Sequence, residues 1–187
     1  MDLDGDIERV LWTAEEISIR VSDLAAQISG DFRHLPSPVV VVGVATGAFV
    51  FLADIVRKIT IPIAVDFIRA ESYGAGTESS CSPIISCDLK IDITGKHVIL
   101  VEDIVDTGST LSKLIAHLKS KGASSISVCA LLDKPARRKI HFELVGEGNF
   151  YRGFDCPDYF VVGYGMDFAE LYRNLPYIGV LKPEKYK

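Results

Sequence analysis

Two hydrophobic periodicities alternate through the middle of the chain. Val39-Val-Val-Val-Gly-Val44 is an unbroken, mostly β-branched run. Such a run predicts a strand buried on both faces, as in a parallel sheet. Lys96–Val101 and Ile126–Leu132 read the same way, and Ile63–Arg69 reads as a further strand. Ile84–Asp92 alternates and predicts another, and a short late strand is expected at Tyr159–Val162. Helical spacing falls between these runs. Ala48–Ile59 predicts one helix, and Ser109–Lys121 predicts a second with Leu111, Leu114, Ile115 and Leu118 on one side and Gly122 at its end. Earlier, Thr13-Ala-Glu-Glu16 is a capping box opening a stripe of Ile17, Val21, Leu24 and Ile28 that Gly30 is expected to stop.

Strand and helix alternate from residue 39 to 132, which predicts an α/β fold with a mostly parallel central sheet flanked by helices. The chain ends fall outside the alternation. They are expected to form a smaller hood over the carboxyl edge of the sheet, within one domain spanning 1–187: core about 39–140, hood from the N-terminal segment and about 141–187. Segment 70–83, rich in Gly, Ser and Thr, reads as a long loop, and loops of that length in compact domains are usually functional or disordered.

Composition narrows the class. With 187 residues, 48% hydrophobic and 24% charged, the chain has the make-up of one folded domain rather than a disordered one. Its net charge of −5 leaves no footprint for nonspecific nucleic-acid binding, which rests on neutralising phosphates. The apolar runs are too short to span a bilayer. The acidic start MDLDGD is unlike a secretory or transit signal, so a cytoplasmic protein is expected. Cys81, Cys87, Cys129 and Cys156 form no CxxC pair and read as free thiols.

The chemistry is concentrated in Val98-Ile-Leu-Val-Glu-Asp-Ile-Val-Asp-Thr-Gly-Ser-Thr110. A buried strand runs into Glu102 and Asp103, a third acid follows at Asp106, and Thr107-Gly-Ser-Thr110 leads into a helix. Ligands of open α/β sheets bind at the carboxyl ends of strands. Hydroxyls, a permissive glycine and free helix amides suit a phosphate. Three carboxylates beside them suit sugar hydroxyls, a metal ion or proton transfer. The pattern is neither GxxxxGK[ST] nor GxGxxG. The competing reading is a plain strand-to-helix turn with Ser109 or Thr110 as cap.

VEDIVDTGST resembles the signature of the type I phosphoribosyltransferases, which bind 5-phosphoribosyl-1-pyrophosphate. Asp133-Lys134-Pro135, Pro157-Asp-Tyr-Phe-Val-Val-Gly-Tyr-Gly-Met-Asp167, Tyr172-Arg173, Arg69-Ala-Glu-Ser-Tyr73 and Thr46-Gly47 resemble the hypoxanthine-guanine branch. The likeness runs from about residue 39 to 180 and implies the type I phosphoribosyltransferase fold. It also implies purine salvage, with phosphoribosyl transfer to hypoxanthine or guanine giving IMP or GMP plus pyrophosphate.

The resemblance assigns roles residue by residue. Thr107, Gly108, Ser109 and Thr110 are expected to hold the 5′-phosphate. Glu102 and Asp103 are expected on the ribose hydroxyls, directly or through magnesium, with Asp167 near a second magnesium and the purine. Asp106 is the expected general base at purine N7. Lys134 is expected on the 6-oxo oxygen, Phe160 stacked on the base, and Val161 at its exocyclic edge through the backbone. Arg173, Thr46 and Gly47 are expected on pyrophosphate. Ser72 and Tyr73 are expected in a closing lid. Many relatives carry Lys or Arg where this chain has Thr46, so a cation that they have is missing from that loop. The likeness further implies a homodimer or homotetramer. Open alternatives are a regulator of the same fold that senses phosphoribosyl pyrophosphate, or a xanthine-preferring enzyme; Lys134 argues against adenine. The regulator would carry an added DNA-binding domain or a broad basic face. Only residues 1–38 precede the first core strand, and the only basic cluster is at Lys134–Lys139.

Overall fold

A computed structural model of the chain describes residues 3–71 and 84–186. Strand β1 (Ile7–Trp12) leads to Thr13, whose hydroxyl accepts from the Glu16 amide while the Glu16 carboxylate accepts from the Thr13 amide at 2.8 Å. This reciprocal cap starts helix α1 (Ala14–Phe32), as expected. The helix continues past Gly30 because Phe32, four residues after Ile28, is buried on the same stripe.

Strand β2 (Val39–Ala45) is buried through its first six residues. It is followed by α2 (Phe49–Val56), β3 (Ile63–Glu71), β4 (Ile84–Cys87), β5 (His97–Val105), α3 (Ser109–Ser120) and β6 (Ser125–Asp133). β7 (Phe150–Asp155), β8 (Val161–Val162) and β9 (Ile178–Leu181) complete the chain. The large sheet has the order β4-β3-β2-β5-β6-β7, parallel except for β4. Side chains alternate along β2 between two cores. Val39 and Val41 join the cluster under α1 and α2, whereas Val40, Val42 and Val44 join the cluster under α3. Double-sided burial is why the run carries no polar positions.

Several boundaries differ from expectation. α2 is shorter than Ala48–Ile59, because Lys58 and Ile59 both turn back onto the Ile55 carbonyl. β4 ends at Cys87 rather than Asp92, because the buried Asp66 carboxylate takes the Lys90 and Ile91 amides at 2.7 and 2.9 Å and bends the chain away. β5 runs on through Glu102–Val105, which keep their register with Ala130, Leu132 and Asp133 of β6, so the acidic pair lies on the sheet and not after it. The late strand is only Val161–Val162, since Tyr159 turns onto the Pro157 carbonyl.

The chain ends meet in a second, antiparallel sheet of order β1-β9-β8. Val162, Tyr172, Leu175 and Leu181 form its small core, and buried Asp6 accepts from the Tyr172 hydroxyl at 2.9 Å. Phe150–Asp155, placed with the hood by sequence, instead extends the large sheet as its edge strand beside β6. An edge strand tolerates the polar Arg152 and the Gly153 that hid it. Among the described residues, no helix is long and apolar enough to cross a membrane.

Candidate active site

The parallel strands deliver the expected groups to one edge. Glu102 is buried and Asp103 follows it on β5. Burial strips water from the Glu102 carboxyl and the Asp103 charge repels a second one, so Glu102 sits well above the usual carboxylate range. Burial also raises Asp103, with Arg173 pulling the other way. The loop after β2 rests on this pair. A Cβ on Gly47 would fall 1.9 Å from Asp103 Oδ2, so only glycine lets the backbone approach the carboxylate. The Ala45–Thr46 peptide is cis. Arg69 Nη2 lies 3.4 Å from Thr46 Oγ1, which brings a guanidinium to the loop whose own cation is missing.

Beyond Val105 the chain makes the turn into α3. Gly108 is its N-cap, in the left-handed region at φ 86°, and the Thr107 hydroxyl accepts from the amide of Ser109, the first helical residue, at 3.4 Å. The cap is thus Gly108, and neither Ser109 nor Thr110 takes that place. Asp106 does not cap either: its Oδ1 accepts from Arg137 Nε at 2.8 Å. A cavity of about 260 Å³ is bordered by Gly47, Glu102, Asp103, Asp106, Thr107, Gly108 and Thr110.

A second cavity of about 620 Å³ gathers Lys134, Phe160, Val161 and Asp167 from distant parts of the sequence. Asp103, Ile104 and Asp106 border both cavities, so the two adjoin along the end of β5. Lys134 is buried rather than solvated with its basic neighbours, and its Nζ donates to the Tyr159 carbonyl at 2.6 Å. Phe160 meets Phe168 edge-on and stacks on Tyr186, with centroids 4.6 Å apart and planes 19° apart. Tyr186 was not among the expected site residues; one aromatic near a chain end carries no periodic signal. Arg9 of β1 covers the Tyr159 ring at 4.4 Å.

Arg173 follows Asp167 by six residues. Its Nη2 pairs with Asp167 at 2.9 Å and Glu170 at 3.1 Å, and its Nη1 donates to the Gly165 carbonyl at 2.8 Å. It borders a separate apolar cavity with Phe49 and Tyr164 instead of facing the first one. Ser109 and Thr46 border neither of the two adjoining cavities. Ser72 and Tyr73 lie outside the described residues. No group of three or more His, Cys, Asp or Glu side chains suited to a metal ion occurs among the described residues.

Comparison with known proteins follows the same geometry. The family model described as "Phosphoribosyl transferase domain" matches residues 12–169. The chain is 42% identical over 182 residues to a hypoxanthine-guanine phosphoribosyltransferase of Staphylococcus aureus, covering 97% of this chain and 98% of the relative. The enzyme of that name from Mycobacterium tuberculosis is 43% identical over 187 residues, covering 98% and 90%. A crystal structure of a hypoxanthine phosphoribosyltransferase from S. aureus superposes with a TM-score of 0.90 at 41% identity, over 100% of this chain and 98% of that one.

Proposed function

The chain belongs to the phosphoribosyltransferase family, and from that premise we propose that it transfers the 5-phosphoribosyl group of phosphoribosyl pyrophosphate to hypoxanthine or guanine, releasing IMP or GMP and pyrophosphate. The observation that carries the reading is the shared border of the two cavities. Asp103 and Asp106 stand between a hydroxyl- and amide-lined niche and an aromatic niche with a buried lysine, where a sugar joins a phosphate to a base.

In this reading Thr107, Gly108, Ser109 and Thr110 hold the 5′-phosphate, and Glu102 and Asp103 fix the ribose hydroxyls. The purine lies on Phe160, with Lys134 on its 6-oxo oxygen and the Val161 backbone at its exocyclic edge. Purine N9 forms a bond to ribose C1′ as the C1′–oxygen bond breaks and its electron pair leaves with pyrophosphate. The N7 proton passes to Asp106, whose carboxylate Arg137 orients. Thr46 and Gly47 serve the pyrophosphate side, and Arg173 joins them by exchanging its bonds to Asp167, Glu170 and the Gly165 carbonyl for pyrophosphate. Holding the reactants in this order supplies most of the rate gain by proximity.

A divalent cation fits the donor set. Glu102 and Asp103 are adjacent carboxylates that burial pushes towards their neutral forms, and a hard oxygen-seeking ion would relieve that cost. Glu102 and Asp103 would hold one magnesium and Asp167 would stand near a second, with substrate oxygens completing each shell. When bound, the ion supplies charge neutralisation at the leaving pyrophosphate.

The protein is further read as cytoplasmic and as a homodimer or homotetramer. Exposed Val65 and Phe67 pair with Val41 and Gly43 on the α2 side of the sheet and give a copy of the chain an apolar face to cover. A spectrophotometric assay with phosphoribosyl pyrophosphate, magnesium and each of hypoxanthine, guanine, xanthine and adenine tests the function. Turnover of the first two and not adenine is expected. Folded protein that binds phosphoribosyl pyrophosphate yet turns over no base would refute the enzyme reading.

A further inference from the structure

The turn Asp106–Gly108 is held open from behind by a segment 30 residues away in sequence. Arg138 Nε donates to the Asp106 carbonyl at 3.3 Å. The Lys139 and Ile140 amides both donate to the Thr107 carbonyl at 3.0 Å. In a planar trans peptide the carbonyl and the following N–H point in opposite directions. Anchoring the Asp106 and Thr107 carbonyls towards residues 138–140 therefore turns the Thr107 and Gly108 amides away from that segment. Both residues border the smaller cavity, and among the described residues neither amide donates a hydrogen bond. Gly108 is pressed against the same brace: a Cβ there would fall 2.3 Å from the Ile140 carbonyl oxygen and 2.9 Å from Arg138 Cδ.

Arg138 is itself fixed. It forms a close ion pair with Asp133, whose side chain is 5% exposed at the carboxyl end of β6, and Arg152 reaches the other oxygen of that carboxylate at 3.4 Å. Phe142 lies against the guanidinium at 5.2 Å. The neighbouring Arg137 differs in every respect: it is half exposed and holds the Asp106 side chain.

We propose that Arg138, anchored by Asp133, is a positioning residue for the phosphate-binding turn: it sets the direction of the Thr107 and Gly108 amides without touching either substrate. The inference rests on the reading of Thr107–Thr110 as the phosphate cradle. It places a determinant of phosphoribosyl pyrophosphate affinity inside the segment that also supplies Lys134 to the base.

Arg138→Gln is expected to raise KM for phosphoribosyl pyrophosphate about tenfold, the loss of one charge-assisted hydrogen bond. KM for the purine should stay within about twofold, and Arg138→Lys should restore part of the loss. Removing Arg138 alone leaves a buried carboxylate short of a partner and can unfold the chain. The double variant Asp133→Asn/Arg138→Gln removes that charge and should show the same KM split. The backbone readout is the amide proton–nitrogen NMR spectrum titrated with ribose 5-phosphate. Wild-type Thr107 and Gly108 should shift on addition, and in the variants should need about tenfold more ligand. Wild-type amides that never shift would overturn the cradle, and this inference with it. Wild-type shifts that persist unchanged in a folded variant, or purine and phosphoribosyl pyrophosphate KM rising together, would overturn the inference alone.

Discussion

The proposed phosphate side and the proposed base side of the site are built in different ways. The phosphate side is one stretch of chain, Glu102 to Thr110, on a strand buried against neighbours on both sides and braced by Arg138, Lys139 and Ile140. The binding groups proposed there include backbone amides whose carbonyl partners are already anchored. The base side takes Lys134, Phe160 and Asp167 from separate segments, and each already holds a neighbour: the Tyr159 carbonyl, the Tyr186 ring and Arg173. Asp106, at the seam, holds Arg137. Under the proposed function, a ligand entering the first niche would meet preoriented donors, whereas a base entering the second would have to exchange partners with the protein. A polyanion recognised by backbone needs rigidity, while groups that would be costly to leave buried without partners need interim ones.

The largest test of that contrast strikes the seam. Asp106→Asn should cut kcat by about 10²- to 10⁴-fold, the span of a lost general base, while calorimetric binding of phosphoribosyl pyrophosphate stays close to wild type. Unchanged turnover would remove Asp106 from the chemistry.

Lys134→Ala comes next. It deletes a buried cation and leaves the Tyr159 carbonyl without its donor, so KM for hypoxanthine and guanine should rise about 10- to 100-fold. Phosphoribosyl pyrophosphate affinity should hold; an equal loss for both substrates would mean that the two sides are not separately built. The smallest effect is expected from Tyr186→Ala. An aromatic pair is worth roughly 0.5–1.5 kcal/mol, so purine KM should change by about tenfold or less, with phosphoribosyl pyrophosphate KM unaffected. A change confined to phosphoribosyl pyrophosphate would place Tyr186 on the wrong side of the contrast.

How far each part could be read in advance follows from how local its signal is. The Val39–Val44 run and the Thr13–Glu16 box encode their structure within a few residues, and both elements form where expected. β1 and β9 did not stand out, because each is half of a pairing across the length of the chain and carries little pattern of its own. The extension of β5 through Glu102–Val105 was hidden because carboxylates read as loop, although the register with β6 holds them on the sheet. Lys134 and Phe160 are singled out only through resemblance, since a lone lysine and a lone phenylalanine have no spacing to betray them.

By itself the sequence determined the alternation of strand and helix, and with it the delivery of three acids and a hydroxyl-rich turn to the end of a central strand. Those are consequences of residue type at short range. It could not decide what Arg137 and Arg138 do, two adjacent and chemically identical side chains. Tertiary structure separates them: one reaches outward to the Asp106 carboxylate, and the other turns inward to Asp133 and the Asp106 carbonyl. The reason is that a side chain's partner depends on which distant surfaces folding brings within about 3 Å of it, and no local pattern carries that information.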